Sequence, residues 1–134
     1  MVMHFQWETL SDGVWRCRLP FCDVSVGLVR GSRGSLLIDC GTTLLEAADI
    51  LADVRTLAGG TVTHAVLTHH HFDHILGSAG FTDAELYAAP HVAAALTTAC
   101  SMSFSAMVLK TTAGRPSHSL TSSRRRMIGM ISMP

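Results

Sequence analysis

Two short apolar runs separated by a helical segment constrain the fold of this chain most. Residues 35–40 and 61–68 are both apolar and rich in β-forming side chains, and the residues between them change to a three-to-four residue apolar spacing. Thr43 and Glu46 have the S/T-x-x-E form of a capping box, and Gly59 stands where the spacing ends. Strand, helix and strand in this order predict a crossover, a buried parallel strand pair and an α/β fold.

The flanking residues extend this predicted sheet in both directions. The apolar run at residues 24–29 is followed by a turn between Gly31 and Gly34, so it predicts a hairpin with the run at 35–40. A further strand is expected at residues 85–88 and an Ala-rich helix at 90–99, with Pro90 in the favoured first turn. Residues 1–99 are therefore predicted to form one folded unit. Residues 100–134 contain many serines and methionines without a period, and we expect a poorly ordered tail there.

Length and charge narrow the classes of protein. A chain of 134 residues has room for one core, and no stretch approaches the roughly 20 apolar residues of a membrane span. Ten basic residues balance ten acidic residues, so no net charge favours nucleic acid or an acidic membrane, and we expect neither partner. All ten acids precede residue 86, whereas the later residues carry five basic side chains and no acid. The zero net charge thus averages two unlike segments.

The cysteines and the amino-terminal residues indicate the cellular compartment of the protein. The four cysteines show no C-x-x-C spacing, and residues 1–7 lack the basic and long apolar regions of a secretory signal. We therefore expect a cytoplasmic protein.

A histidine-rich tract stands directly after the second apolar run. Five of the eight histidines fall within residues 64–74, and the predicted strand ends where the tract begins. Imidazole is a common ligand for transition metals, and the carboxyl ends of strands in open α/β sheets are where ligands bind. The tract therefore predicts a metal site. The alternative interpretation is an exposed polar loop that is rich in histidine by chance.

The spacing within the tract suggests how it would hold a metal. His69 and His71 are two residues apart, so they point to the same side if the extended conformation continues. Asp73 and His74 lie in the turn that follows, from which they would reach a second point nearby, and His70 and Phe72 would face the other way.

The tract also resembles a known signature. His69-x-His71-x-Asp73-His74 after an apolar strand is similar to the H-x-H-x-D-H signature of the metallo-β-lactamase superfamily, and Thr68 to His74 look most like its glyoxalase II branch. The segment 35–41, which ends in Asp-Cys-Gly, is similar to the family's strand that ends in Asp and Gly. The resemblance covers about residues 10–99. It implies the N-terminal half of an αββα sandwich, and so a truncated chain.

The resemblance implies ligands and a reaction. His69 and His71 would hold one metal, and Asp73 and His74 a second; the metal is usually zinc, as one or two ions, although a His/Asp site also accepts iron or manganese. Asp39 would orient a ligand histidine, or else only end its strand and cap the next turn. A metal-bound hydroxide would hydrolyse an ester, thioester, lactone or similar bond of a small molecule. Asp73 would be catalytic, either as a metal ligand or as acceptor of the water's proton.

After the signature, this chain departs from the family pattern. The family adds a later histidine, a bridging acid and a final histidine, but Glu85 is the last acid of this chain. His118, within a segment faintly similar to the family's Pro-Gly-His motif, is the candidate for a further metal ligand, whereas His91 is expected to be a solvated helix residue. The alternative function is an inactive fragment or a non-catalytic metal-binding module. Without the opposing half, an apolar face of the sheet would stay uncovered and favour self-association.

Overall fold

One mixed sheet organises the part of the chain that the structure, a computed structural model, describes: residues 2–99. The sheet follows chain order from β1 to β6. Strands β1 to β4 are antiparallel, and β4, β5 and β6 are parallel to one another. The strands are β1 (Trp7–Ser11), β2 (Val14–Arg18), β3 (Ser25–Arg30), β4 (Ser35–Ile38), β5 (Val62–Leu67) and β6 (Glu85–Ala88). The helices are α1 (Leu44–Ala58), α2 (Phe72–Ile75) and α3 (Pro90–Ala99), with a 3₁₀ turn at Leu76–Gly80.

The predicted crossover is confirmed. Strands β4 and β5 pair in parallel on either side of α1. The capping box of α1 is present, because Thr43 Oγ1 accepts the Glu46 N–H at 3.1 Å and Glu46 Oε2 accepts the Thr43 N–H at 2.9 Å. Gly59 ends the helix in the left-handed conformation, with φ of 71°. The hairpin of β3 and β4, the strand β6 and the helix α3 are also as predicted.

The two faces of the sheet differ in burial. Side chains alternate along each strand, and one set belongs to a single core shared with Ile50 and Val54 of α1 and Val92 of α3. The strand residues of this buried set include Cys17, Val26, Leu28, Leu37, Ala65 and Leu67. The opposite set combines half-buried apolar side chains with exposed polar ones: the apolar residues are Val14, Val29, Leu36, Ile38 and Val66, and the polar residues include Arg16, Arg18 and His64. The sheet therefore presents a partly exposed apolar face.

A buried carboxylate attaches the first strand to the core. Asp53 of α1 is 1% exposed and accepts three hydrogen bonds: from the backbone N–H groups of His4 and Phe5 at 2.8 and 2.9 Å, and from the Trp7 indole N–H at 2.9 Å. These bonds compensate for burial of the charge. They also fix the segment that leads into β1, a strand that the sequence analysis does not predict.

Two expectations concern other parts of the chain. The predicted tail at residues 100–134 falls outside the described residues, so its order and the division at residue 99 stay predictions. Within the described residues, no helix has the length and apolar character needed to cross a membrane.

We predict that Asp53→Ala destabilises the chain by about 2–3 kcal/mol, because three donors lose their acceptor. The measurement is the midpoint of urea unfolding. Asp12→Ala is the control, since it makes the same chemical change at a side chain that is 100% exposed. Equal midpoints for the two variants would show that the Asp53 bonds do not hold the first strand in place.

The apolar face predicts self-association, since half-buried aliphatic side chains gain by leaving water. In sedimentation velocity the sedimentation coefficient is expected to rise with concentration, and Leu36→Lys on that face is expected to suppress the rise. Leu45→Lys is the control, because Leu45 is 72% exposed on α1. A monomer at all concentrations, or equal effects of both variants, would contradict the prediction.

Candidate metal site

The site is built where two parallel strands end side by side. β4 ends at Ile38, and Asp39 follows with φ of 61°, a left-handed conformation that non-glycine residues rarely adopt. The Asp39 N–H donates to the carbonyl oxygen of Val66 in β5 at 2.9 Å. Because β5 ends at Leu67, the Asp39 side chain meets Thr68, the first residue beyond that strand. This is the sheet edge at which α/β folds place ligands.

The Asp39 carboxylate is the centre of a hydrogen-bond network. The residue is 4% exposed. Oδ1 accepts the Thr68 backbone N–H at 2.8 Å, while Oδ2 accepts the Thr68 hydroxyl at 2.7 Å and lies 2.8 Å from His74 Nδ1. Both carboxylate oxygens are therefore engaged by the protein.

This network assigns the proton positions on two imidazoles. An ionised carboxylate only accepts, so His74 Nδ1 must carry the proton that it shares with Asp39. The Thr68 hydroxyl has already donated to Asp39, so it accepts from His69 Nδ1, which lies 2.9 Å away. In the neutral form both imidazoles then leave Nε2 with a free lone pair, which is the form that binds a metal.

The two imidazoles lie close to each other. The ring centroids of His69 and His74 are 4.0 Å apart. Asp39, His69 and His74 each offer one ligand atom, and these atoms lie within 4.8 Å of one another. These three residues form a group that could hold a metal ion. The structure thus brings together two of the histidines predicted as ligands with the acid predicted to orient them.

A short helix that follows His71 returns His74 to Asp39. Helix α2 begins at Phe72, and the His74 carbonyl oxygen accepts the Cys40 N–H at 3.0 Å. The Gly77 N–H donates to the Gly41 carbonyl oxygen at 2.9 Å. A Cβ at Gly77 would lie 2.0 Å from the Cys40 carbonyl oxygen, so only glycine permits this approach. His71 keeps an extended backbone, and Asp73 and His74 lie in the short helix that follows it.

The other predicted ligands border this cluster. The exposed His71 ring lies 4.7 Å from that of His69, and Asp73 Oδ2 lies 3.7 Å from His74 Nε2. Asp73 keeps 20% of its side chain exposed. His118 lies outside the described residues. The assignment of His69 and His71 to one metal, and of Asp73 and His74 to another, stays a prediction.

Thr68 links Asp39 to His69, and this role is not predicted above. Its signal is a hydroxyl residue at the last position before the first histidine of the signature, where it can both donate and accept.

The thiol of Cys40, which follows Asp39, lies in the core. Its side chain is buried, and burial, followed by the charge of Asp39, raises the pKa of the thiol. Cys17 behaves alike, since burial and then the charge of Asp53 raise the pKa of its thiol to about 12. Both are neutral core side chains.

Comparison with known families agrees with this geometry. The family model described as the metallo-beta-lactamase superfamily matches residues 19–98, which include the whole of the site. The chain belongs to this superfamily. No curated protein matches the chain.

Solved structures show the same fold. A metallo-beta-lactamase from Hirschia baltica superposes with a TM-score of 0.60 at 18% identity, covering 71% of this chain and 48% of that one. One from Erythrobacter litoralis gives 0.58 at 23% identity, covering 69% and 44%. FIM-1 from Pseudomonas aeruginosa, in a mono-zinc form, gives 0.54 at 21% identity, covering 66% and 43%. This chain thus spans about half the length of the structures it matches, as expected for the N-terminal half of the fold; the glyoxalase II branch stays a prediction.

We predict that Thr68→Val weakens zinc binding by about 10–100-fold, because the substitution keeps the side-chain shape but removes the hydroxyl that holds His69. Isothermal titration calorimetry measures the affinity. Thr82→Val is the matched control at an exposed position. Equal affinities of the two variants would exclude a role for the Thr68 hydroxyl.

Proposed function

We propose that this chain carries the metal-binding half of a metal-dependent hydrolase. The substrate class is an ester, thioester, lactone or similar bond in a small molecule. One observation carries the proposal: the Asp39 carboxylate and the Thr68 hydroxyl hold His69 and His74 with both Nε2 atoms available. Such outer partners are what catalytic metal sites use to orient their histidines.

The donor set fits zinc. Neutral imidazole nitrogens suit this ion, and catalytic zinc sites combine about three protein ligands with an open position. His69 and His74 supply two nitrogens, and either His71 or Asp73 lies close enough to contribute a third donor. The mono-zinc form of FIM-1 supports the choice of ion. Iron and manganese are the alternatives for a site of this kind.

The residues have separable tasks in such a reaction. Zinc held by His69 and His74 would supply Lewis acidity, which would lower the pKa of a water molecule to about 7 and would polarise the bond under attack. Asp39 fixes the His74 ring and, through Thr68, the His69 ring. The half-buried Asp73 carboxylate, beside His74 Nε2, is placed to accept a proton.

A second candidate is a metal-binding module without turnover, or an inactive fragment. It is favoured by Asp39, because both of its carboxylate oxygens already accept hydrogen bonds from the protein and are not free to bind a metal.

The metal site is tested by zinc titration of the metal-free chain. His74→Ala, His71→Ala and Asp73→Ala are each expected to lower zinc affinity or stoichiometry. His64→Ala is the control, because His64 is exposed on β5 and stacks on Tyr87 at 5.9 Å between ring centroids. Unchanged metal content in the His71 and Asp73 variants would contradict the ligand assignment.

Activity distinguishes the two candidates. The zinc-loaded chain is assayed against an aryl ester, a glutathione thioester, a lactone and a β-lactam. If the chain is a hydrolase, we expect turnover that is lost in Asp73→Ala and retained in His64→Ala. Tight zinc binding without turnover would favour the module.

A further inference from the structure

Two histidines that the proposed metal site does not use approach each other beside it. The His70 ring centroid lies 6.5 Å from that of His91 and 5.5 Å from that of His71. All three side chains are exposed. They continue outward from the pair of His69 and His74, so that imidazoles run from the half-buried site to the surface.

The parallel pairing of β5 and β6 explains why these two side chains meet. Leu67 pairs with Ala88 at the carboxyl ends of the two strands. His70 and His91 each lie three residues beyond these paired positions, so neighbouring strands deliver both to the same edge of the sheet. His91 is held in the first turn of α3, whereas His70 lies between β5 and α2.

The separation is within reach of one metal ion. A metal–nitrogen distance of about 2.1 Å places the centroids of two imidazoles that share a tetrahedral ion roughly 5 Å apart. The His70–His71 distance of 5.5 Å is already close to this value, and the His70–His91 distance of 6.5 Å exceeds it by about 1.5 Å. Rotation of exposed side chains about their χ angles covers such a difference.

The geometry points to an outer metal site formed by His70 and His91. The His71 ring lies 5.5 Å from that of His70 and 4.7 Å from that of His69 in the inner site. The ligand of the outer site is a divalent transition-metal ion that prefers imidazole nitrogen, such as Cu²⁺, Ni²⁺ or Zn²⁺. Since both defining side chains are exposed, the ion exchanges with solvent. The Asp39 network does not contribute to this site, so its existence does not depend on hydrolase activity.

Copper is the sharpest probe, because Cu²⁺ binds nitrogen sites most strongly among these ions and reports its ligands by electron paramagnetic resonance. Titration of the metal-free chain with Cu²⁺ is compared for the wild type, His91→Ala and the control His64→Ala. His91→Ala is expected to bind one Cu²⁺ fewer than the other two proteins. In a His69→Ala/His74→Ala double variant, a copper signal with imidazole hyperfine coupling is expected to persist, and adding His91→Ala is expected to remove it.

The outcomes are distinct. Equal Cu²⁺ stoichiometry and affinity for wild type and His91→Ala would overturn the outer site, and so would an equal loss in His64→Ala. The comparison of surface variants decides the question even if the double variant does not fold, as circular dichroism would show. Zinc affinity and stoichiometry that His74→Ala leaves unchanged would contradict the inner site, whereas an outer copper signal retained in the same variant would still support this proposal.

Discussion

The contact between the Asp39 carboxylate and the groups around it is the interaction on which this structure depends. An ionised carboxylate at 4% exposure is costly unless donors replace water, and here the Thr68 backbone, the Thr68 hydroxyl and His74 do so. Asp39 reaches them only by adopting a left-handed backbone conformation. Backbone strain of this kind persists where the surroundings hold it in place, and it concentrates at functional sites.

The fold brings Asp39 and its hydrogen-bond partners together. The crossover through α1 sets β4 parallel to β5, so that the last residues of both strands end at one edge. The close approach of Gly77 to the Cys40 carbonyl oxygen then returns the chain and sets His74 over Asp39. The imidazoles are positioned by packing and hydrogen bonds before any ion arrives, and such preorganisation is what a metal site requires.

Much of this was predictable from sequence, because local signals agreed with the tertiary structure. The capping box at Thr43, the left-handed Gly59 and the apolar run of β5 each identify an element without knowledge of its neighbours. Strand β1 was missed because its position depends on distant Asp53, 46 residues beyond Trp7. The role of Thr68 was missed for a similar reason: its two hydrogen-bond partners are visible only once Asp39, 29 residues away, is in place. The turn expected at Asp73 and His74 is helix α2, and its form could not be predicted because it depends on hydrogen bonds with the distant backbone of Cys40 and Gly41.

The central claim is that Asp39 and Thr68 leave both Nε2 atoms free for metal. Nitrogen NMR of the imidazole side chains tests it most directly. In the metal-free chain at a pH where the rings are neutral, we predict the Nδ1-protonated tautomer for His69 and His74, and added zinc is expected to shift the Nε2 resonances of both. Nε2-protonated tautomers, or Nε2 resonances that zinc leaves unchanged, would contradict it.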